Sequence, residues 1–305
     1  MPPTARLAVP PMAPRPSSLR PHAVRAANAV VRLSRPALLA RQRRQLRSLG
    51  VDRPAFVLVF DCDTDEDVER VAAVHDRLVS AGVTPAYAVP GDLLRVGSEV
   101  YGAIARSGAE MLNHGDARHC RIAEDGSYES WFFYDQLGLD VVEADIRGGH
   151  QAHLDVFGVA PVGFRVPHFG TFQGRAHRAV LARVLGDLGY RYSSSGMPHR
   201  GWLAGPVHRE GGLWELPVTG RRDAPLAVLD SWSFRFAPGR RVDESAYEAQ
   251  LGWLVDRLLA GRNEVVNVYA DPSQVWDWDG FFEVVGRAAP VAVAGPAALL
   301  DLVDA

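Results

Sequence analysis

Short apolar runs alternate with helical patterns along most of this chain, and that alternation constrains the fold more than any other feature. The runs are Phe56–Phe60, Thr84–Val89, Glu110–Asn113, Gly163–Val166, Tyr190–Ser194, Leu213–Val218, Val265–Tyr269 and Val291–Ala294. Between most of them, apolar residues at helical spacing predict helices over Asp67–Ala81, Leu93–Ser107, Asp140–Phe157, Gln173–Leu188, Glu244–Ala260 and Phe281–Arg287. Alternation repeated this often implies an α/β fold on a parallel sheet, open or closed into a barrel. In either architecture, chemistry belongs at the C-terminal ends of the strands.

At 305 residues the chain can bury a large core. Residues 1–22 are rich in Pro, Ala, Ser and Arg and are expected to be disordered. Residues 23–50 form a basic, helix-prone extension interrupted at Pro36. Such a helix either packs its Val and Leu side on the domain or makes peripheral contact with an anionic membrane surface; packing is the expectation. No stretch approaches the roughly 20 apolar residues of a membrane span. No compact apolar segment accompanies the N-terminal arginines, so a secretory signal is not expected and a cytoplasmic location is. A net charge of −3 argues against nucleic acid as the main partner. The chain contains no lysine, which excludes Schiff-base lysine chemistry and a Walker lysine. Cys62 and Cys120 are too few for a disulfide scaffold or a thiolate zinc site.

The first apolar run empties into five carboxylates, in VLVFDCDTDEDVERV. Asp65, Glu66 and Asp67 begin a helix, where acidic groups complement the exposed N–H groups. Asp61 and Asp63 are different, because residues two apart on a strand share one face. Two carboxylates held together need a positive partner: a metal, an arginine or a cationic substrate. Strand alternation aims the Cys62 thiol away from both. A D-x-D-x-D-G calcium loop requires Gly and Glu where the chain has Glu66 and Ala72, so that reading fails. A haloacid-dehalogenase-like phosphatase, with Asp61 as nucleophile, also starts from such a strand, but here the fifth position is Asp65 and no lysine can neutralise phosphate.

The other predicted strand ends add to the set. AEMLNHGDARHC brings His114, Asp116 and His119; GFRVPHFG brings Arg165 and His168; YRYSSSGMP ends in hydroxyls; LDSWSFRF holds Asp230; YADP holds Asp271. Carboxylates, histidines and an arginine converging on one rim fit metal-assisted hydrolysis. A divalent ion on Asp63 and histidines lowers the pKa of bound water from 15.7 to about 7. Asp61 takes its proton, and Arg165 keeps Asp61 ionised and oriented.

The order FDCD, AEMLNHGDARH, FRVPH, YRYSSS, DSW, YADP resembles the polysaccharide deacetylase family with the NodB homology domain, over residues 54 to 300; VTPAYAVPGD is similar to the family's second strand. The resemblance implies a distorted (β/α) barrel of about seven strands, with residues 51–305 as the catalytic domain. It also implies a divalent metal, zinc above all, and a carbohydrate or acylated small molecule as substrate. Carried across, it makes Asp61 the base, Asp63, His114 and His119 the metal ligands, and Arg165 the partner of the base. His168 falls where a backbone N–H stabilises the oxyanion, a role worth about 3–4 kcal/mol elsewhere. Asp230 and Trp232 fall in a motif that shapes the pocket and orients the general acid. Phe169, Ser194 and Trp232 are expected to contact substrate.

Two departures stand out. The family's metal histidines are four apart, whereas position 118 is Arg118 and the second histidine is His119, five from His114. On an unbroken helix His119 would turn about 140° away. A looped arrangement after Gly115 would let it return, and the spacing leaves Asp116 and Arg118 open as alternatives. At the last strand the family's general-acid histidine is replaced by Asp271, an effective acid at neutral pH only if burial or neighbouring carboxylates raise its pKa. The function expected is therefore removal of an N- or O-acyl group from a carbohydrate. The alternative is a degenerate relative that binds glycan without hydrolysis.

Overall fold

The computed structural model describes residues 21–236 and 243–303. The expected disordered tail over 1–22 lies outside them up to residue 20. The chain opens with helix α1 (Pro21–Ser48) and enters the sheet at β1 (Ala55–Asp61). Helix α2 (Asp65–Ser80), strand β2 (Ala86–Val89), helices α3 (Gly91–Val96) and α4 (Ser98–Arg106) and strand β3 (Met111–Asn113) follow. A hairpin of β4 (Cys120–Ile122) and β5 (Tyr128–Ser130) precedes α5 (Leu139–Phe157) and β6 (Gly163–Phe164). Next come α6 (Arg175–Asp187), β7 (Tyr192–Ser193), α7 (Pro198–Ala204), β8 (His208–Glu210) and β9 (Leu213–Glu215). Short α8 (Trp232–Arg235), α9 (Glu244–Leu259) and β10 (Val265–Ala270) lead to α10 (Pro272–Val275), α11 (Asp279–Arg287) and α12 (Pro296–Asp301).

Eight strands form one curled sheet in the order β10-β1-β2-β3-β6-β7-β9-β8. All neighbours are parallel except β8, which joins β9 through a two-residue Gly211-Gly212 turn with both residues at positive φ (58° and 89°). Alternation along β1 sorts two layers. Phe56, Leu58, Phe60 and Cys62 pack outward against helices; Ala55, Val57 and Val59 face a second apolar cluster that includes Ala86, Ala88, Leu112, Tyr192 and Leu216. Side chains from neighbouring strands fill the interior of a narrow barrel. Asp61 continues the inward set and Cys62 the outward one, so the thiol is buried away from both carboxylates, as expected.

The barrel closes without a ladder. Pro217, just after β9, has no N–H to donate. Instead Thr219 N donates to Asn267 O (2.7 Å), Asn267 N to Thr219 Oγ1 (2.9 Å) and Asn267 Nδ2 to Leu216 O (2.9 Å).

Three expectations are corrected. Val291–Ala294 is not a strand: Ala292 makes one bridge to Phe56, because β2 occupies that edge of β1 from Val59 onward. The predicted helix Leu93–Ser107 is two helices meeting at Gly97. Pro36 does not interrupt α1, which stays helical through it because it is held along its length. Gln42 and Gln45 donate to Gly201 O (2.7 Å) and Ala204 O (2.8 Å), and Arg41 donates to Trp202 O and Leu203 O. These carbonyls lie in the last turn of α7, where helix carbonyls run short of intrahelical partners and a cation is favoured by the helix dipole; Gly201 O also accepts from Gly205 N (3.0 Å). One side of α1 is thus committed to the barrel. No described helix is long and apolar enough to cross a membrane.

Glu215, at the end of β9, is buried and accepts from Ser195 N (3.0 Å) and Gly196 N (2.7 Å). Burial nevertheless pushes its pKa from 4.5 up to about 7. A raised acid pKa favours the protonated folded state, so its stabilising effect is complete below about pH 4.5 and gone above about pH 7. The expected cost between pH 5 and pH 8 is about 2–3 kcal/mol. Glu215→Gln should narrow the difference in Tm between those pH values by roughly 5–10 °C; scanning calorimetry of both proteins at both pH values checks it.

Candidate metal and catalytic site

The end of β1 delivers Asp61 and Asp63 to the mouth of the barrel. His114 follows β3 directly. Its Nδ1 lies 2.8 Å from Arg165 O, a contact that places the ring proton on Nδ1 and leaves the Nε2 lone pair facing Asp63 Oδ1 at 3.3 Å.

Gly115 decides what happens next. At φ 81° it turns the chain out of any helical path, and a side chain there would meet Asp145 Oδ2 at 2.3 Å and the Tyr134 hydroxyl at 2.7 Å. The chain loops, and His119 returns with Nε2 3.1 Å from Asp63 Oδ1. Its Nδ1 lies 3.3 Å from Ala117 O. Arg118 turns outward to Asp65, and Asp116 pairs with Arg95 (2.9 Å). The five-residue spacing is therefore absorbed by a loop, and neither alternative occupies the second-histidine position.

Donor atoms of Asp63, His114 and His119 lie within 4.8 Å of one another. Two buried imidazole lone pairs facing one carboxylate is an arrangement that needs a cation between them, and carbonyls behind each ring set the tautomer as in ligating histidines. The residues fit a divalent ion.

Arg165 is wholly buried and donates from Nη1 to Asp61 Oδ1 (2.8 Å), from Nη2 to Ser194 Oγ (3.0 Å) and from Nε to Ser194 O (3.2 Å). Burial raises the Asp61 pKa; Arg165 and His114 work against that rise without cancelling it. Ser194 also donates to Leu216 O (3.0 Å) and accepts from Asn267 Nδ2 (3.1 Å), and it is fully buried. It was expected to touch substrate; it stands behind Arg165 instead, since all its hydrogen-bonding capacity is spent inside the barrel.

His168 adopts φ 58°, rare for a residue with a side chain, and its Nε2 is fixed 2.8 Å from Trp131 O. Burial pushes its pKa down to about 3, so the ring is neutral. Phe169 stacks on Tyr269 (4.8 Å between centroids), and Arg165 lies over both rings.

Asp271 is buried, and its pKa is pushed well above the carboxylate range by burial and then by Asp67, Asp63, Asp61 and Asp230. Ser231 Oγ accepts from Asp271 N (3.0 Å) and donates to Gln274 Oε1 (2.8 Å), while Gln274 donates to the Asp271 carboxyl. Asp230 was expected to orient the general acid. Its carboxyl instead accepts from Ser233 N and Ser233 Oγ, capping α8, and Ser231 makes the contact with Asp271.

Motif reading missed three further groups. The Tyr128 hydroxyl reaches Asp63 Oδ2 (3.3 Å), and its ring stands edge-on to Trp232. Asp125-Gly126, between β4 and β5, is a hairpin signal that would have placed Tyr128. Asp67, expected in the first turn of a helix, forms a capping box with Thr64, yet it is buried, accepts from Ser273 N (2.8 Å) and is raised by burial to about 6. Tyr269 has no local signal.

No protein-family model matches the sequence, and no curated protein matches it. Solved structures do. One is assigned as a polysaccharide deacetylase, from Mycobacterium smegmatis: 18% identity and TM-score 0.59, covering 82% of this chain and 89% of that one. Another so assigned, from Pseudomonas aeruginosa PAO1, gives 12% identity and TM-score 0.61 over 84% and 91%. The chain has the polysaccharide-deacetylase fold. The Puue allantoinase shares it, at 10% identity and TM-score 0.59 over 84% and 90%. Within this fold the seven parallel strands match the expected barrel, and β8 is an added antiparallel edge.

Proposed function

We propose that the protein is a metal-dependent hydrolase that removes an N- or O-acyl group, acetyl first, from a carbohydrate or glycan precursor. The observation that carries this reading is the Asp63–His114–His119 cluster beside the buried Asp61–Arg165 pair. A divalent ion held by Asp63, His114 and His119, with zinc best suited to two imidazoles and a carboxylate, would polarise the acyl carbonyl and acidify water.

Asp61 takes a proton from the attacking water, its raised pKa making it a better base than an exposed carboxylate. The oxygen adds to the carbonyl carbon, and the backbone N–H of His168 faces the developing oxyanion. Asp271, kept protonated by burial and its acidic neighbours, gives its proton to the departing nitrogen or oxygen as the carbon–heteroatom bond breaks. Phe169, Tyr269 and Trp232 form an aromatic wall for a sugar ring.

The test pairs elemental analysis with acetate release from acetylated chito-oligosaccharides and acetylated xylan. About one divalent ion per chain is expected, lost in Asp63→Ala and His119→Ala but retained in Arg118→Ala, and a chelator should abolish hydrolysis. No metal uptake on reconstitution, or hydrolysis indifferent to the chelator, would overturn the reading.

A further inference from the structure

A second concavity lies on the barrel wall, lined by other residues than the Asp63–His114–His119 cluster. Where β9 and β10 fail to form a ladder, an open cleft lies between that seam and helices α1, α7 and α9. Its apolar lining includes Leu39, Trp202, Trp253 and Val266.

The charge there is unbalanced. Arg35, Arg222 and Arg257 all lie over the ring of Trp253, at 5.0, 5.6 and 5.0 Å. Arg32 and Arg43 are further positive charges nearby. Against them stand Asp223 and Glu264, and Glu264 is committed to Arg43 (2.7 Å) and Arg257 (2.6 Å). Arg35 Nη2 donates to Arg222 O, but among the described residues its buried Nε has no hydrogen-bond partner, which is costly for a charged donor. Burial, then Arg257, Arg222 and Arg32, depress the Arg35 pKa, the sign of a guanidinium crowded by like charge. Guanidinium groups gathered over one indole need an anion to offset their repulsion.

We propose that this cleft binds an organic anion with an apolar body, a phosphate or carboxylate carried on a chain or ring. Arg35 and Arg222 take its charge, and Trp253, Trp202 and Leu39 take its apolar part. The site stands apart from the acyl-transfer chemistry and does not depend on it.

Isothermal titration of the full chain with octyl phosphate, inorganic phosphate and neutral octyl glucoside, all below micelle-forming concentration, tests the proposal. Octyl phosphate should bind once per chain, and the other two at least tenfold more weakly. Arg35→Gln and Arg222→Gln should each weaken octyl phosphate by about 10–100-fold, the value of a charge-assisted hydrogen bond. Arg209→Gln, which removes a guanidinium stacked on Trp214 elsewhere, should leave binding unchanged. No octyl phosphate binding, several ions per chain, or equal affinity in Arg35→Gln and Arg222→Gln would overturn the site. Inorganic phosphate binding as tightly as octyl phosphate would overturn the claim of an apolar body.

Discussion

Replacing Asp61 by Asn is expected to cut acetate release by about 10²–10⁴-fold, the usual contribution of a positioned base, while the divalent ion stays bound. Asn keeps the shape of the side chain and an oxygen that can accept from Arg165, but it cannot take a proton. The ion is unaffected because Asp63, His114 and His119 form their own cluster. Turnover and metal content measured on one preparation separate the two. A variant within threefold of wild type would remove Asp61 from the chemistry. One that lost its metal would make Asp61 a ligand.

Arg165→Met is expected to cost about 3–5 kcal/mol of stability, because it leaves a buried carboxylate without its partner. Arg165 is wholly buried, and its loss would remove the chief opposition to burial and to the fields of Asp63 and Asp230 at Asp61. For a chain of this size that corresponds to a fall in Tm of roughly 10 °C. The double variant Asp61→Asn/Arg165→Met should recover much of the loss, since no lone charge then remains inside the barrel. Denaturant unfolding of the four proteins closes the cycle. A coupling near zero would mean that the two side chains are neighbours without being partners.

Most of the barrel was legible because β1 is long enough to show its period. Seven residues fix which side faces in, so the placement of Asp61, Asp63 and Cys62 could be read directly. Strand β7 is only two residues long, too short to set a phase, so the pattern could not show that Ser194, expected to contact substrate, is buried behind Arg165. His119 was named as a ligand only through the resemblance; its five-residue spacing by itself left Asp116 and Arg118 open, because that spacing becomes productive only through the turn at Gly115. The raised pKa of Asp271 comes from burial first and then from carboxylates scattered from residue 61 to residue 230, and no local pattern encodes such crowding. Nor could the sequence reveal that α1 runs through Pro36, since the bonds that hold it come from α7, well over a hundred residues later.

The seam at Asn267 makes the barrel its own latch. The amide that bridges the gap beside β10 grips the Ser194 hydroxyl, and the same hydroxyl holds Arg165 Nη2. Opening the seam therefore slackens the grip on Asp61. A molecule whose wall is ajar would be idle rather than indiscriminate, and only a fully shut barrel would present its carboxylate in working alignment.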